Sequence, residues 1–209
     1  MEKVIFDDET HLVKTTFDLS NTQSESIKLC ERIVETSPVN FTDAYAYKKN
    51  IDLNKKWIEH KMDTVIDLAI SKCTELYEKK NVNFNHLYVD TWVNIVRAGK
   101  PKQTNFKVKN EIQFHSHVEL NEAQQVFRPD YTFVIYLQMP DNLEGDDGVL
   151  FVKGLEDKIY SYLPKEGEIV IMDGNVYHVP NSAPNSTKDR VVVAGNVGFT
   201  FDKQTKSLI

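Results

Sequence analysis

The sequence predicts a mainly β fold with N-terminal helices, a jelly roll or sheet-on-sheet barrel carrying its helices on the outside. Three observations predict it. Helical hydrophobic spacing is confined to the first 86 residues. From Leu87 onward the period changes to two, in short runs separated by turn residues. One of those runs, Tyr131–Gln138, carries two contrasting faces. Tyr131, Phe133, Ile135 and Leu137 make a wholly apolar face suited to lie under helices. Thr132, Val134, Tyr136 and Gln138 make a mixed face, as in a small barrel that encloses a polar ligand.

Taken in order, a polar start gives way to β-type alternation over Leu12–Phe17. Ser24–Thr36 reads as a helix, because Ile27, Cys30, Ile33 and Val34 recur at helical spacing and Thr22 with Glu25 forms a capping box. Pro38 stops it. A longer helix is predicted over Asp52–Lys79, with Ile66, Ala69, Ile70, Cys73 and Tyr77 on one stripe and Asn81-Val82-Asn83 at its end. Strands follow at Leu87–Arg97, Asn110–Glu119, Tyr131–Gln138, Val149–Lys153, Lys158–Leu163, Glu168–Met172 and Arg190–Phe201. Gly99-Lys100-Pro101, Asp141-Asn142, Gly145–Gly148 and Pro180–Asn185 punctuate them. The chain reads as one domain over 1–209, with 1–86 mostly helical support and 87–201 the sheet core.

Composition narrows the chemistry. The 209 residues carry 25 basic and 31 acidic side chains, a formal charge of −6. That balance, without a Lys/Arg cluster, argues against nucleic acid as a partner. No apolar run reaches the roughly 20 residues of a membrane span, and no secretory signal opens the chain, so a cytoplasmic protein is expected (host cytoplasm if it is viral). Cys30 and Cys73 form neither a disulfide framework nor a C-x-x-C pair. Histidine, carboxylate and arginine are left to carry any chemistry.

They cluster in two places. In Phe114-His115-Ser116-His117-Val118-Glu119 the residues His115, His117 and Glu119 share one face of a strand. Two imidazoles and a carboxylate on one side of a first-row metal leave positions open, as in non-haem Fe(II) oxygenases. A further ligand must come from elsewhere, and His178 is the candidate. Arg190 follows twelve residues later, in a run whose faces are both apolar. A buried arginine there needs an anionic partner: a ligand carboxylate, or a neighbouring aspartate such as Asp189 or Asp202. His11, His60 and His86 read as solvated residues in turn or helical contexts, and Trp57 and Trp92 as core.

This order of features resembles the Fe(II)/2-oxoglutarate-dependent oxygenases of the double-stranded β-helix fold. It is most similar to the prolyl-hydroxylase-like branch and to small oxygenases often encoded by phages. Tyr131–Gln138 resembles that branch's Thr-x-x-x-Tyr-Leu-Asn strand, Asp141–Phe151 its Gly-Gly turn, and Arg190–Asn196 its closing strand, so the likeness spans about residues 90–201. It implies that His117, Glu119 and His178 bind Fe(II) and that 2-oxoglutarate chelates the ion. Arg190 would take the distal carboxylate, helped by Tyr136 or Thr132. O2 would be the oxidant and succinate and CO2 the by-products of hydroxylating a protein or peptide side chain or a small molecule. Because ligand histidines must be neutral, activity is expected to fall below roughly pH 6.

Two departures leave alternatives. The family pattern is H-x-D, and here the acid is Glu119; His115 permits a second register in which His115 and His117 fill both positions, otherwise lying beside the ligands. His115, His117, Glu122 and His178 also fit a cupin-type metal enzyme, although His178 lies late for that pattern and Arg190 has no role in it. A non-catalytic jelly-roll binding module would share the same barrel.

Overall fold

A computed structural model describes residues 1–20, 23–35, 44–48, 62–98, 114–117, 119–120, 126–127 and 129–200. Its described α-helices are α1 (Gln23–Glu35) and α2 (Asp63–Glu78), with a short 3-10 turn at Leu155–Asp157. Its described strands are β1 (Glu2–Ile5), β2 (His11–Thr16), β3 (Ala44–Lys48), β4 (His86–Val96), β5 (Glu119–Leu120) and β6 (Val126–Phe127). Then follow β7 (Tyr131–Gln138), β8 (Leu150–Lys153), β9 (Ile159–Tyr162), β10 (Glu168–Asp173), β11 (His178–Pro180) and β12 (Arg190–Thr200). Three layers result: helices, a large sheet, and a smaller sheet over its other face. The large sheet runs β1-β2-β10-β7-β12-β4-β3 and the smaller β11-β8-β9, with β5-β6 a separate pair.

The two faces of β7 divide the interior. Tyr131, Phe133, Ile135 and Leu137 join Leu29, Cys30, Ile33 and Val34 of α1 and Ile66, Ala69 and Cys73 of α2 in a core between helices and sheet. Residues 26, 29, 30, 33 and 34 are the buried positions of α1, the i, i+3, i+4 recurrence of an amphipathic helix. Gln23 ties its start to β7 by donating from Nε2 to the Leu137 carbonyl at 2.8 Å. At the end of α2, Tyr77 stacks on Phe199 of β12 at 4.2 Å, and Phe84 packs edge-on against both. On the other face, Val134 and Tyr136 join Leu12, Leu150, Val152, Val170, Met172, Val192 and Ala194 between the sheets.

Several boundaries differ from the expectation. β1 and β2 are integral strands of the large sheet and β3 is its far edge, so the sheet begins well before residue 87. His11 opens β2 and is half-buried rather than sitting in a turn. The short β11 pairs with β8 through His178 opposite Val152, a strand too brief to leave a periodic signal. The capping residue Thr22, the first part of the predicted long helix (52–61), Trp57, His60, the turn Gly99-Lys100-Pro101 and most of the predicted strand Asn110–Glu119 lie outside the described residues. No described helix is long and apolar enough to cross a membrane.

Candidate metal centre and anion pocket

The site lies between the sheets. β12 pairs with β4 in unbroken register, Arg190 opposite Val96 and Ala194 opposite Trp92. Arg190, Val192, Ala194 and Asn196 therefore project from one face, the one that Val192 and Ala194 bury against the smaller sheet. A bulge at Leu137 of β7 lets Tyr136 face Val192 while Gln138 faces Val191. Neighbouring strands thus align Arg190, Tyr136 and Glu168 near one end of the interior. Glu168 is buried and satisfied, accepting from the Tyr162 hydroxyl at 2.7 Å and the Lys165 amide at 3.0 Å. Lys14 stands 3.9 Å from its other oxygen.

Arg190 is only 6 % exposed, and its Nε has no hydrogen-bond partner. Asp189 does not neutralise it: that carboxylate takes Arg97 at 2.6 Å and the Ala98 amide at 2.7 Å. Asp202 is outside the described residues. Burial lowers the Arg190 pKa, against an opposing pull from Tyr136. Burial pushes the Tyr136 phenol up to about 12, with Arg190 drawing it down and Glu168 pushing it further up. Of the two expected helpers, Tyr136 therefore stands in the field of Arg190. Thr132 does not. It sits opposite Asn196, six residues along β12 from Arg190, and its hydroxyl is donated to Asn196 Oδ1 at 2.9 Å.

The histidines come together on the smaller sheet. His115 and His178 exchange both backbone hydrogen bonds, at 3.1 and 2.9 Å. The nitrogen donors of His115, His117 and His178 all lie within 4.8 Å of one another. His117 Nε2 is 3.4 Å from His178 Nε2, and the two rings are stacked. His178 Nδ1 lies 3.0 Å from the Val176 carbonyl, which assigns the proton to Nδ1 and leaves the Nε2 lone pair for a ligand bond. Burial, followed by the charges of His115 and Arg190, pushes His178 down to about 4, so this ring stays neutral well below the pH 6 expected of an ordinary imidazole. Desolvation also lowers His115. Trp92 is core as expected, and it also stacks on His117 with centroids 5.2 Å apart.

Glu119 is described only by its backbone, paired with Phe127 in the β5–β6 ribbon; Glu122 is outside the described residues. Sequence reading had no role for Asn94 either. Its register with Val192 puts it on the inner face, and its Oδ1 is buried without a partner. The alternation Asp90, Trp92, Asn94 along β4 carried the signal that could have placed both Trp92 and Asn94 there.

Converging imidazoles, one with its tautomer set by a carbonyl, beside a buried guanidinium with an orphaned donor, fit a first-row metal and an anionic chelator.

No family model and no curated protein matches this chain. Solved structures do. A prolyl hydroxylase from Trichoplax adhaerens, in complex with a hypoxia inducible factor peptide fragment, is similar at TM-score 0.57 and 14% identity, over 94% of this chain and 86% of that one. A prolyl-4-hydroxylase from Pseudomonas putida is similar at 0.51 and 12%, over 91% and 92% of the two chains. HygX from Streptomyces hygroscopicus, with nickel and 2-oxoglutarate bound, gives 0.54 and 12%, over 91% and 83%. The fold is thus the double-stranded β-helix of the 2-oxoglutarate/Fe(II) oxygenases. At these identities the likeness is one of fold.

Proposed function

We propose that this protein is an Fe(II)- and 2-oxoglutarate-dependent dioxygenase that hydroxylates a C–H bond of a protein or peptide side chain, or of a small molecule. The observation that carries this reading is Arg190. A buried guanidinium with an unpartnered Nε, on the same side of the large sheet as a histidine cluster that runs from buried His178 to exposed His115, is costly unless an anion completes it. A dicarboxylate that meets a metal at one end and a guanidinium at the other supplies that completion.

His117 and His178 would hold the ion in either register, through neutral nitrogens. Glu119 or His115 would supply the next donor from the same segment. When bound, Fe(II) supplies the redox chemistry by which O2 and 2-oxoglutarate yield hydroxylated product, succinate and CO2. Arg190 would grip the distal carboxylate through charge-assisted hydrogen bonds, with the Tyr136 hydroxyl beside it. Val134, Val152, Val192, Ala194 and Trp92 make the surrounding walls apolar, which excludes water and strengthens each of these charge interactions. The peptide carried by the Trichoplax structure supports a peptide substrate, and the hygromycin B bound in a HygX structure from Streptomyces hygroscopicus supports a small molecule equally.

The test is an anaerobic titration with Fe(II) and 2-oxoglutarate, following the weak visible absorption of the chelate. Absorption that needs both components is expected. In Arg190→Ala the half-saturating 2-oxoglutarate concentration should rise about 10- to 100-fold, the worth of a lost charged hydrogen bond, with metal affinity little changed. Metal binding without any response to 2-oxoglutarate would overturn the reading.

A further inference from the structure

The third protein ligand at this centre is open between Glu119 and His115, and backbone register bears on the choice. His115 and His178 form a directly opposed pair that exchanges both amide-to-carbonyl bonds. Residues so paired send their side chains from the same face of the sheet, with Cα atoms about 5.5 Å apart. Opposite Val152 on its other side, His178 has its face defined: Val152 is fully buried in the core between the sheets. His115 consequently stands on the same face of the sheet as His178, with its ring exposed at the rim while His117 is half-buried and His178 buried.

His117 completes the group. The three ring centroids are separated by 4.5 Å (His115 to His178), 5.1 Å (His117 to His178) and 5.4 Å (His115 to His117), so no pair is remote from the third. Two imidazole nitrogens 3.4 Å apart can each sit at an ordinary bond length of about 2.1 Å from one ion. Two of the rings are held in place from outside the group, His178 by the Val176 carbonyl and His117 by the face of Trp92.

We infer that the metal is held by three histidines, His115, His117 and His178, with His115 filling a position that a carboxylate occupies in a two-histidine, one-carboxylate site. The inference rests on the oxygenase reading only for the presence of a metal. Its chemical consequence is a site built wholly of neutral donors. Such a site leaves the full double positive charge on the ion to attract an anionic chelator, and it favours copper, nickel, iron and zinc over the oxygen-seeking manganese and magnesium.

The experiment uses Cu(II) and Ni(II) as probes on the full chain without 2-oxoglutarate. Electron paramagnetic resonance of the Cu(II) protein should show coupling to three nitrogens in the wild type. His115→Gln should show two, and should weaken Ni(II) binding more than about 100-fold, beyond the 10- to 100-fold typical of losing an outer-shell partner. Glu119→Gln should keep three nitrogens and its Ni(II) affinity. Circular dichroism and melting of each variant check the fold, and the wild-type nitrogen count stands without any variant. Two nitrogens in the wild type, or metal lost in Glu119→Gln and kept in His115→Gln, would overturn the inference while leaving an oxygenase with a carboxylate ligand. Failure of the wild type to bind either ion would overturn both readings.

Discussion

Asp141 illustrates how one side chain sets the position of another far along the chain. Its Oδ1 accepts from the Thr187 amide at 2.6 Å, the Ser186 hydroxyl at 2.9 Å and the Lys188 amide at 3.2 Å, while Oδ2 accepts from the Thr187 hydroxyl at 2.7 Å. This carboxylate clamps the turn that delivers Arg190 into β12. The Thr187 hydroxyl and amide hold its pKa far below the carboxylate range, with Ser186 and Lys188 adding to them against a desolvation cost. A group depressed in this way contributes stability above its unfolded pKa of about 4 and loses it as pH falls further. Denaturant melts of the metal-free protein should therefore show a steeper loss from pH 5 to pH 3 in the wild type than in Asp141→Asn, which should already be weaker at pH 7. Equal slopes would mean that the clamp is not felt by the folded state.

Among the elements, β12 does the most positioning, because it is central, unbroken against β4, and different on its two faces. Val191, Val193 and Val197 lie in the helix-side core, and Val192 and Ala194 lie between the sheets. Gly195 is required for close approach: a Cβ there would collide with the Phe133 ring and stand 2.7 Å from the Asp90 carbonyl oxygen. Both neighbours are held within the sheet, and Phe133 is fully buried. Gly195→Ala should accordingly lose about 1–3 kcal/mol, the usual cost of overpacking a core, measured as a fall in urea midpoint. An unchanged midpoint would show that Phe133 can move aside. The helices play a simpler part, since α1 and α2 cover the outer face of β7 and take no place in the site.

For the molecule as a whole, the candidate metal centre and the candidate anion pocket belong to different elements. The histidines stand on the smaller sheet and its neighbour strand, and Arg190 and Tyr136 on the large sheet. A ligand reaching from one to the other cross-links the two sheets. Ni(II) and 2-oxoglutarate together should raise the melting temperature by more than the sum of their separate effects, on the order of 5–10 °C at saturating concentrations. His178→Ala should abolish that cooperative gain and leave the fold intact. Simple additivity in the wild type would mean that the two ligands do not share the interior.

Much of this was legible along the chain, because period and turn chemistry are local properties. Tyr131–Gln138 announced both its faces through simple alternation, and β12 its burial through Val191-Val192-Val193. His178 and Arg190 stood out because a lone histidine after an apolar strand, and an arginine inside one, conflict with their surroundings unless something binds them. Register and pairing were not legible, because they depend on residues distant in sequence. Alternation placed Thr132 and Tyr136 on one face, yet four residues along a strand is about 13 Å, and pairing with Asn196 rather than Arg190 took Thr132 away. The same holds at the candidate metal centre: His115-Ser116-His117-Val118-Glu119 offers two equivalent spacings, and the local period cannot choose between them. The proposed three-histidine set rests instead on the bridge of His115 to His178, hydrogen bonds between segments that meet only in the folded chain.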